Sequence, residues 1–335
     1  ENIFKSLCAY KMDLTYGESL FEIAFGKTKS GTLGYLIGMR FSSGDPKYGI
    51  GNSQIYAFPQ YYYNFDRADK RRDVSTCLYD YTGANLSKQK ILHPASNSQL
   101  TKWRKSWMNP LWGGTNAKAS NFGVNLPMMR YSDVILMYAE TENELNGPTQ
   151  SAKDALALVR QRAFPEETWP TTVTHYIDSV GISKADFFNA IVDERYFEFG
   201  GEFIRKYDLI RWNLLYTKIA QAKADLLELT SQVYPTVRTV SKYINAPTYI
   251  YWKYDSDGET ISILNPDYRL PYKAISGYTV AEGWANWTAS RQNVYWKNYD
   301  RIANGLDPIK NNYLYPLGPN VIASSRGVLS NDQMP

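Results

Sequence analysis

The sequence predicts a mainly α protein: tetratricopeptide-like helical hairpins carrying a large loop-rich lobe and a few short strands. Three observations predict it. Apolar residues recur at helical spacing in two neighbouring segments, about 128–146 and 150–163, which Gly147-Pro148 and Pro165 close. A third segment opens on Ser183 with Asp186 three residues on, an approximate capping box. On either side of these helices run long stretches in which Tyr and Trp are scattered among Asn, Gly, Lys and Pro, the composition of loops.

In chain order, residues 1–60 carry "SLFEIAF" (19–25) and "GTLGYLIGMRF" (31–41), broken by Gly and Pro, and read as a lead-in helix, short strands and loops. Residues 61–126 form a loop-rich lobe, expected to hold a ligand. Residues 127–230 form the helical core: the hairpin of 128–146 and 150–163, a Thr- and Pro-rich loop, and the helix that Ser183 caps. Gly200-Gly201 interrupts that helix, and a fourth helical piece is expected over about 202–230. Residues 231–335 are again loop-rich, with Trp252, Trp284, Trp287 and Trp296 spread along them. No true sequence repeat accompanies the helices, and the chain 1–335 is read as one domain.

At 335 residues the chain can bury a large core. Cys8 and Cys77 are too few for a disulfide framework. No segment approaches the roughly 20 apolar residues of a membrane-spanning helix. A balance of 37 basic against 33 acidic residues gives little attraction for a polyanion. The basic run "DRADKRRD" (66–73) is largely cancelled by Asp66, Asp69 and Asp73, so no nucleic-acid partner is expected. The anomaly is aromatic: 28 Tyr, 9 Trp and 13 Phe, which suit half-exposed surfaces that grip ligands and suit packing equally.

Carboxylates decide between catalysis and structure. On a helical wheel of 130–147, Val134, Ile135, Tyr138, Ala139 and Leu145 share a broad face, while Arg130, Asp133, Glu140 and Glu144 gather opposite, where Arg130 and Asp133 are close enough to pair. That arrangement favours a solvated or ion-paired face over catalysis. Glu194 and Glu198 lie one turn apart beside Phe187 and Ile191. Such a spacing is compatible with a glycosidase pair, but Arg195, Arg205 and Arg211 nearby favour a buried ion network acting through stability. His93 and His175 are the only histidines and have no zinc-ligand spacing, and no G-x-S-x-G, P-loop or G-x-G-x-x-G motif is present. No cofactor or metal is expected.

Together these segments resemble the SusD/RagB family of outer-membrane nutrient-binding lipoproteins. "MRYSDVILMYAETENELNG" is similar to the family's Arg-Tyr-Ala-Asp/Glu helix and "ALALVRQRA" to its partner helix. "IVDERYFEFGGEFIRKYDLIRW" is similar to the Glu-Arg, Glu-x-x-Arg, Asp-Leu-x-Arg-Trp signature, and "ESLFEIAF", Asp69-Lys70-Arg71-Arg72, "YLYPLGPN" and "NDQMP" follow in the family's order. Ser132 stands where the signature has Ala, and Pro316-Leu317-Gly318 replaces the usual Pro-Ile-Pro. The resemblance implies a non-catalytic glycan-binding protein at the cell surface, held to the outer membrane by a lipid on an N-terminal cysteine and loading oligosaccharides into a SusC-like TonB-dependent transporter. It also implies that Arg130, Asp133, Glu194, Arg195, Glu198, Arg205, Asp208 and Arg211 are a structural ion network. It makes this chain similar to the C-terminal two-thirds of such a protein, with the preceding segment expected as a packing partner, cleaved or omitted.

The ligand site is expected in the loops before the hairpin, where "KWRKSWMNPLWGGTNAKASN" (102–121) combines three Trp with Asn and a Gly pair. Trp112, Trp107, Tyr61 and Tyr62 are the aromatic candidates and Asn109 and Asn116 the polar ones, with Trp103 assigned to the core. A peptide ligand is the alternative within the family. A glycoside hydrolase using Glu194 and Glu198 and a helical scaffold that binds only protein are the readings outside it.

Overall fold

Gly147 takes a left-handed φ of +82°, which a side chain would resist, and so ends helix α5 (Tyr131–Asn146) sharply. Thr149 then caps α6 (Gln150–Ala163), its hydroxyl accepting from the Ala152 N–H at 3.3 Å. The hairpin closes on small and branched side chains: Leu136 and Ala139 of α5 meet Ala152, Leu156 and Val159 of α6, all buried. Helix α8 (Lys184–Glu198) lays Phe187, Ala190 and Ile191 against the same core. Its cap is reciprocal, because Ser183 Oγ accepts from the Asp186 N–H at 3.1 Å and donates to Asp186 Oδ2 at 2.7 Å.

This computed structural model describes residues 2–11, 17–26, 31–83, 85–92, 98–109, 111, 122–231, 240–285 and 317–330. Among them the architecture is mainly α, with the helical hairpins flanked by lobes of loops and short strands.

The buried face of α5 departs from the wheel. Ser132, Asp133, Leu136, Ala139 and Asn143 point inward, whereas Val134, Tyr138 and Leu145 are exposed, Leu145 to 74%. The reason is tertiary: Arg195 of α8 pairs with Asp133 at 2.6 Å, and Asn143 Nδ2 donates to the Lys184 carbonyl at 3.0 Å. A polar group with such a partner can be buried at little cost.

Three further expectations are corrected. The expected start of the first helix, 128–130, is strand: β7 (Leu126–Arg130) pairs antiparallel with β1 (Ser19–Ile23). The Thr- and Pro-rich loop after α6 is largely helical, with a 3-10 turn at Glu166–Thr168, a π turn at Pro170–His175 and α7 (Tyr176–Val180), through which Val173 and Ile177 reach the hairpin core. The fourth helix is two, α9 (Arg205–Arg211) and α10 (Leu215–Ser231), because Asn213 adopts a φ of +58° between them, a conformation Asn tolerates better than most residues.

Before the hairpin, α1 (Asn2–Cys8) and α2 (Leu33–Ile37) share a core with Trp103 and Phe122, built on Ile3, Phe4, Leu7 and Ile37. Trp103 is fully buried, as expected. Helices α3 (Gln60–Asn64) and α4 (Arg72–Ser75) sit among strands two or three residues long, β2 (Tyr56–Ala57), β3 (Thr76–Cys77), β4 (Tyr79–Asp80), β5 (Lys90–Ile91) and β6 (Ser98–Leu100), in sheets ordered β2-β6-β3 and β4-β5. After α10, β8 (Tyr249–Tyr254), β9 (Ile261–Ile263) and β10 (Thr279–Glu282) form an antiparallel sheet ordered β10-β8-β9. An apolar face stays open along β1, β7 and the start of α5, where Leu20, Phe21, Met128, Met129 and Tyr131 are exposed.

Candidate functional site

The β1–β7 pairing sets Ser19 opposite Arg130 and so delivers the Glu18 carboxylate to the Arg130 guanidinium, where the two form an ion pair. From that junction an ion network spreads through the interior. Arg130 also binds Glu198 Oε1 at 3.0 Å and both oxygens of Glu202, at 2.7 and 2.9 Å. The Lys102 ammonium donates to the Glu198 carbonyl at 2.7 Å and pairs with Glu202. Arg162 from α6 reaches Glu198 Oε1 at 2.6 Å and pairs with Glu18.

Arg71 ties the two candidate acids together. Its Nη1 lies 2.6 Å from Glu194 Oε1 and 3.1 Å from Glu198 Oε2, while its Nη2 holds Asp69 at 2.7 Å. The far side of Glu194 is held by Arg160 at 2.7 Å. Thus Arg71, Lys102, Arg130, Arg160 and Arg162 face Glu18, Asp69, Glu194, Glu198 and Glu202 one for one. Burial alone would push the Glu198 carboxyl up, but Arg162, Arg130, Arg71 and Lys102 together outweigh it and hold it well below the usual carboxylate range. A general acid needs the opposite shift. The network borders a cavity of about 440 Å3 lined by Ile3, Phe4, Lys70, Arg71, Arg130 and Glu198 among others.

The expected partners were the wrong arginines. Arg195 pairs with Asp133 at 2.6 Å and Asp208 at 2.7 Å, and Arg211 with Asp208 at 3.0 Å and with Glu140. This second network is joined to the first by Phe199, whose ring lies 4.8 Å from both the Arg130 and Arg195 guanidiniums. The expected Arg130–Asp133 pair is not made, since each has a better-placed partner across the core. Arg205 is outside both networks: its Nη1 donates to the Val192 carbonyl at 2.7 Å, and burial lowers its pKa. Sequence reasoning missed Glu18, Asp69, Arg71, Lys102, Arg160, Arg162 and Glu202. For Asp69, Arg71, Arg160 and Arg162 a signal was present in "DKRR" and "VRQRA", charged residues set close together; Glu18, Lys102 and Glu202 lie outside both stretches.

The aromatic candidates separate. Tyr61 and Tyr62, expected at a ligand surface, are buried. Tyr61 packs edge-on to Phe65 and Tyr196, both at 5.1 Å, because the bare backbone of Gly200 leaves its hydroxyl room: a Cβ there would lie 1.8 Å from it. Tyr62 lies under the Arg72 guanidinium at 4.7 Å. Trp107 is half-buried with Arg104 over its ring at 4.5 Å, and Asn109 is exposed. Trp112 and Asn116 lie outside the described residues, as do Trp287, Trp296 and His93; Trp284 is core. Among the described residues no group of three His, Cys, Asp or Glu side chains could hold a metal, and no helix is long and apolar enough to cross a membrane.

The profile of the SusD family matches residues 18–333. A SusD-like protein of Formosa agariphila is 43% identical over 101 residues, 30% of this chain and 18% of that protein. Among solved structures, a SusD homolog from Bacteroides thetaiotaomicron superposes with a TM-score of 0.57 at 26% identity, over 72% of this chain and 48% of that one. Surface glycan-binding protein A of the same species, solved with laminarihexaose, gives 0.45 at 20% identity, over 64% and 46% of the two chains. The chain thus spans about half the length of the solved relatives it matches.

Proposed function

The chain belongs to the SusD family, and from that premise we propose that it is a non-catalytic glycan-binding protein of the cell surface that captures oligosaccharides and passes them to a SusC-like TonB-dependent transporter. In this reading a lipid anchor holds it at the outer membrane, and the open apolar face along β1, β7 and α5 packs against a further segment of the same protein. The observation that carries the non-catalytic part is the engagement of Glu194 and Glu198 by Arg71, Arg160, Arg130 and Arg162. With every carboxylate oxygen held by a guanidinium, neither acid is placed to give or take a proton at a glycosidic bond.

The sugar is held in this proposal by residues of the segment 102–121, with Trp112 as the stacking ring, Trp107 as a second ring and Asn109 and Asn116 as hydrogen-bonding partners. Tyr and Trp offer apolar faces to sugar C–H groups and polar edges to hydroxyls, which the composition supplies in quantity. The test is a glycan array and a peptide array probed side by side with the purified chain. Retention of at least one saccharide and no peptide supports the proposal. Retention of peptides alone supports the family's other ligand class, and retention of neither contradicts it.

A further inference from the structure

Strand β8 turns its side chains alternately to the two faces of its sheet. Ile250 and Trp252 pack inward with Leu78, Ile91 and Trp284, whereas Tyr249 and Tyr251 lie on the other face, against the stretch 264–273 that follows β9. Two fully buried side chains fix that stretch. Asn265 Oδ1 accepts from the Tyr251 N–H at 2.9 Å, and its Nδ2 donates to the carbonyls of Tyr249 at 2.8 Å and Tyr268 at 3.2 Å. The Tyr251 hydroxyl donates to the Pro271 carbonyl at 3.0 Å and accepts from the Lys273 N–H at 2.9 Å.

Those last two bonds bracket Tyr272. The chain is held on both sides of this residue while its side chain stays in water: at 70% exposure it is the most exposed aromatic residue among those described. The Tyr249 ring lies 5.0 Å away, tilted by 55°, and braces it from the sheet. A lone exposed apolar side chain needs no explanation. A ring whose backbone is pinned by a buried hydroxyl differs, because much of the ordering entropy that a ligand contact would cost has already been met in folding. Such a ring offers a flat apolar face and a phenol edge, which suit the C–H face and the hydroxyls of a sugar. Because it is open to solvent, it admits a sugar ring anywhere along a polymer, whereas a closed pocket admits only a chain end.

We propose that Tyr272, braced by Tyr249, is a surface platform on which one sugar ring of a polysaccharide stacks. The proposal rests on the glycan-binding reading and adds to it a second contact, beside the β10-β8-β9 sheet and outside the segment 102–121, and a form of ligand, the polymer.

The test is native electrophoresis of the full chain through gels cast with amylopectin, laminarin, xylan or galactomannan, comparing wild type with Tyr272→Ala and Tyr272→Phe. At least one polymer is expected to retard the wild type, and Tyr272→Ala to raise the apparent Kd for that polymer about five- to ten-fold, the effect of one stacked ring. Tyr272→Phe, which keeps the ring, is expected within about two-fold of wild type. Both variants should melt within about 1 °C of wild type, because the side chain is in water. A loss in Tyr272→Phe equal to that in Tyr272→Ala, or a clearly lowered melting temperature in Tyr272→Ala, overturns the proposal. So does a Tyr272→Ala chain that loses retention on the peptide array and none in the polysaccharide gels. If the glycan array retains the chain but no polymer retards it, or polymers retard wild type and Tyr272→Ala alike, the platform is refuted while the glycan-binding reading stands; if neither array nor gel shows glycan binding, both fall.

Discussion

Replacing Arg130 with methionine, an apolar side chain of similar reach, isolates what the ion network contributes to the fold. Arg130 is 3% exposed and holds Glu198, Glu202 and the Ser132 hydroxyl, in addition to Glu18. After the substitution, among the described residues, Glu202 keeps Lys102 as its cation partner, and Glu198 keeps Arg162 and Arg71. Removing one partner from a buried charge group costs about 3–5 kcal/mol, and the low exposure leaves no solvent screening to discount it. With an unfolding entropy of about 2.1 cal/mol/K per residue over 335 residues, that loss lowers the melting temperature by roughly 4–7 °C at pH 7. The pH dependence supplies a second check. The Glu198 carboxyl is depressed in the folded state, so its contribution is present above the unfolded carboxylate pKa and fades as pH falls through the folded one. The gap between wild type and Arg130→Met should therefore narrow in acid. Scanning calorimetry from pH 7 down to pH 3 reads both effects; a shift under about 1 °C at pH 7, or a gap that widens in acid, refutes the reasoning.

Gly200→Ala should destabilise strongly, because the added methyl would sit 1.8 Å from the Tyr61 hydroxyl and 2.6 Å from its ring carbon; we expect a loss of about 1–3 kcal/mol by chemical denaturation, with a wild-type midpoint counting against the packing described. Burial pushes the thiols of Cys8 and Cys77 up to about 12, so an aromatic disulfide reagent at pH 8 should label neither in the native protein and both in denaturant. In the proposed 102–121 site, Trp112→Ala should weaken the array glycan by about 1–3 kcal/mol in titration calorimetry. Trp107, whose ring is already covered by Arg104, should lose less binding and more stability on the same change, and the reverse order would move the site.

The helices were legible where local chemistry sets them. Gly147-Pro148, the stop before Pro165 and the Ser183 capping box act within a few residues, so those ends can be read along the chain. The orientation of α5 was not, because Asp133 and Asn143 are buried by partners that α8 brings from some 40 to 60 positions away. Arg205 and Arg211 looked like partners for Glu194 and Glu198 because they are near in sequence. The α8–α9 geometry instead turns Arg211 toward Asp208 and Glu140, and the real partners arrive from α6, β7 and the turn before α4. Tyr61 and Tyr62 carried an ambiguous signal from the start, since a tyrosine that packs and one that grips a ligand have the same side chain.

Direct titration of the array-selected glycan into the purified chain, followed by a reducing-end assay on the same mixture after prolonged incubation, tests the central claim. A binding protein whose Glu194 and Glu198 are locked in ion pairs predicts a saturable isotherm with no new reducing ends, and glycan recovered at its original length. Release of reducing ends that disappears in Glu198→Gln while binding persists would contradict the account and make the pair catalytic.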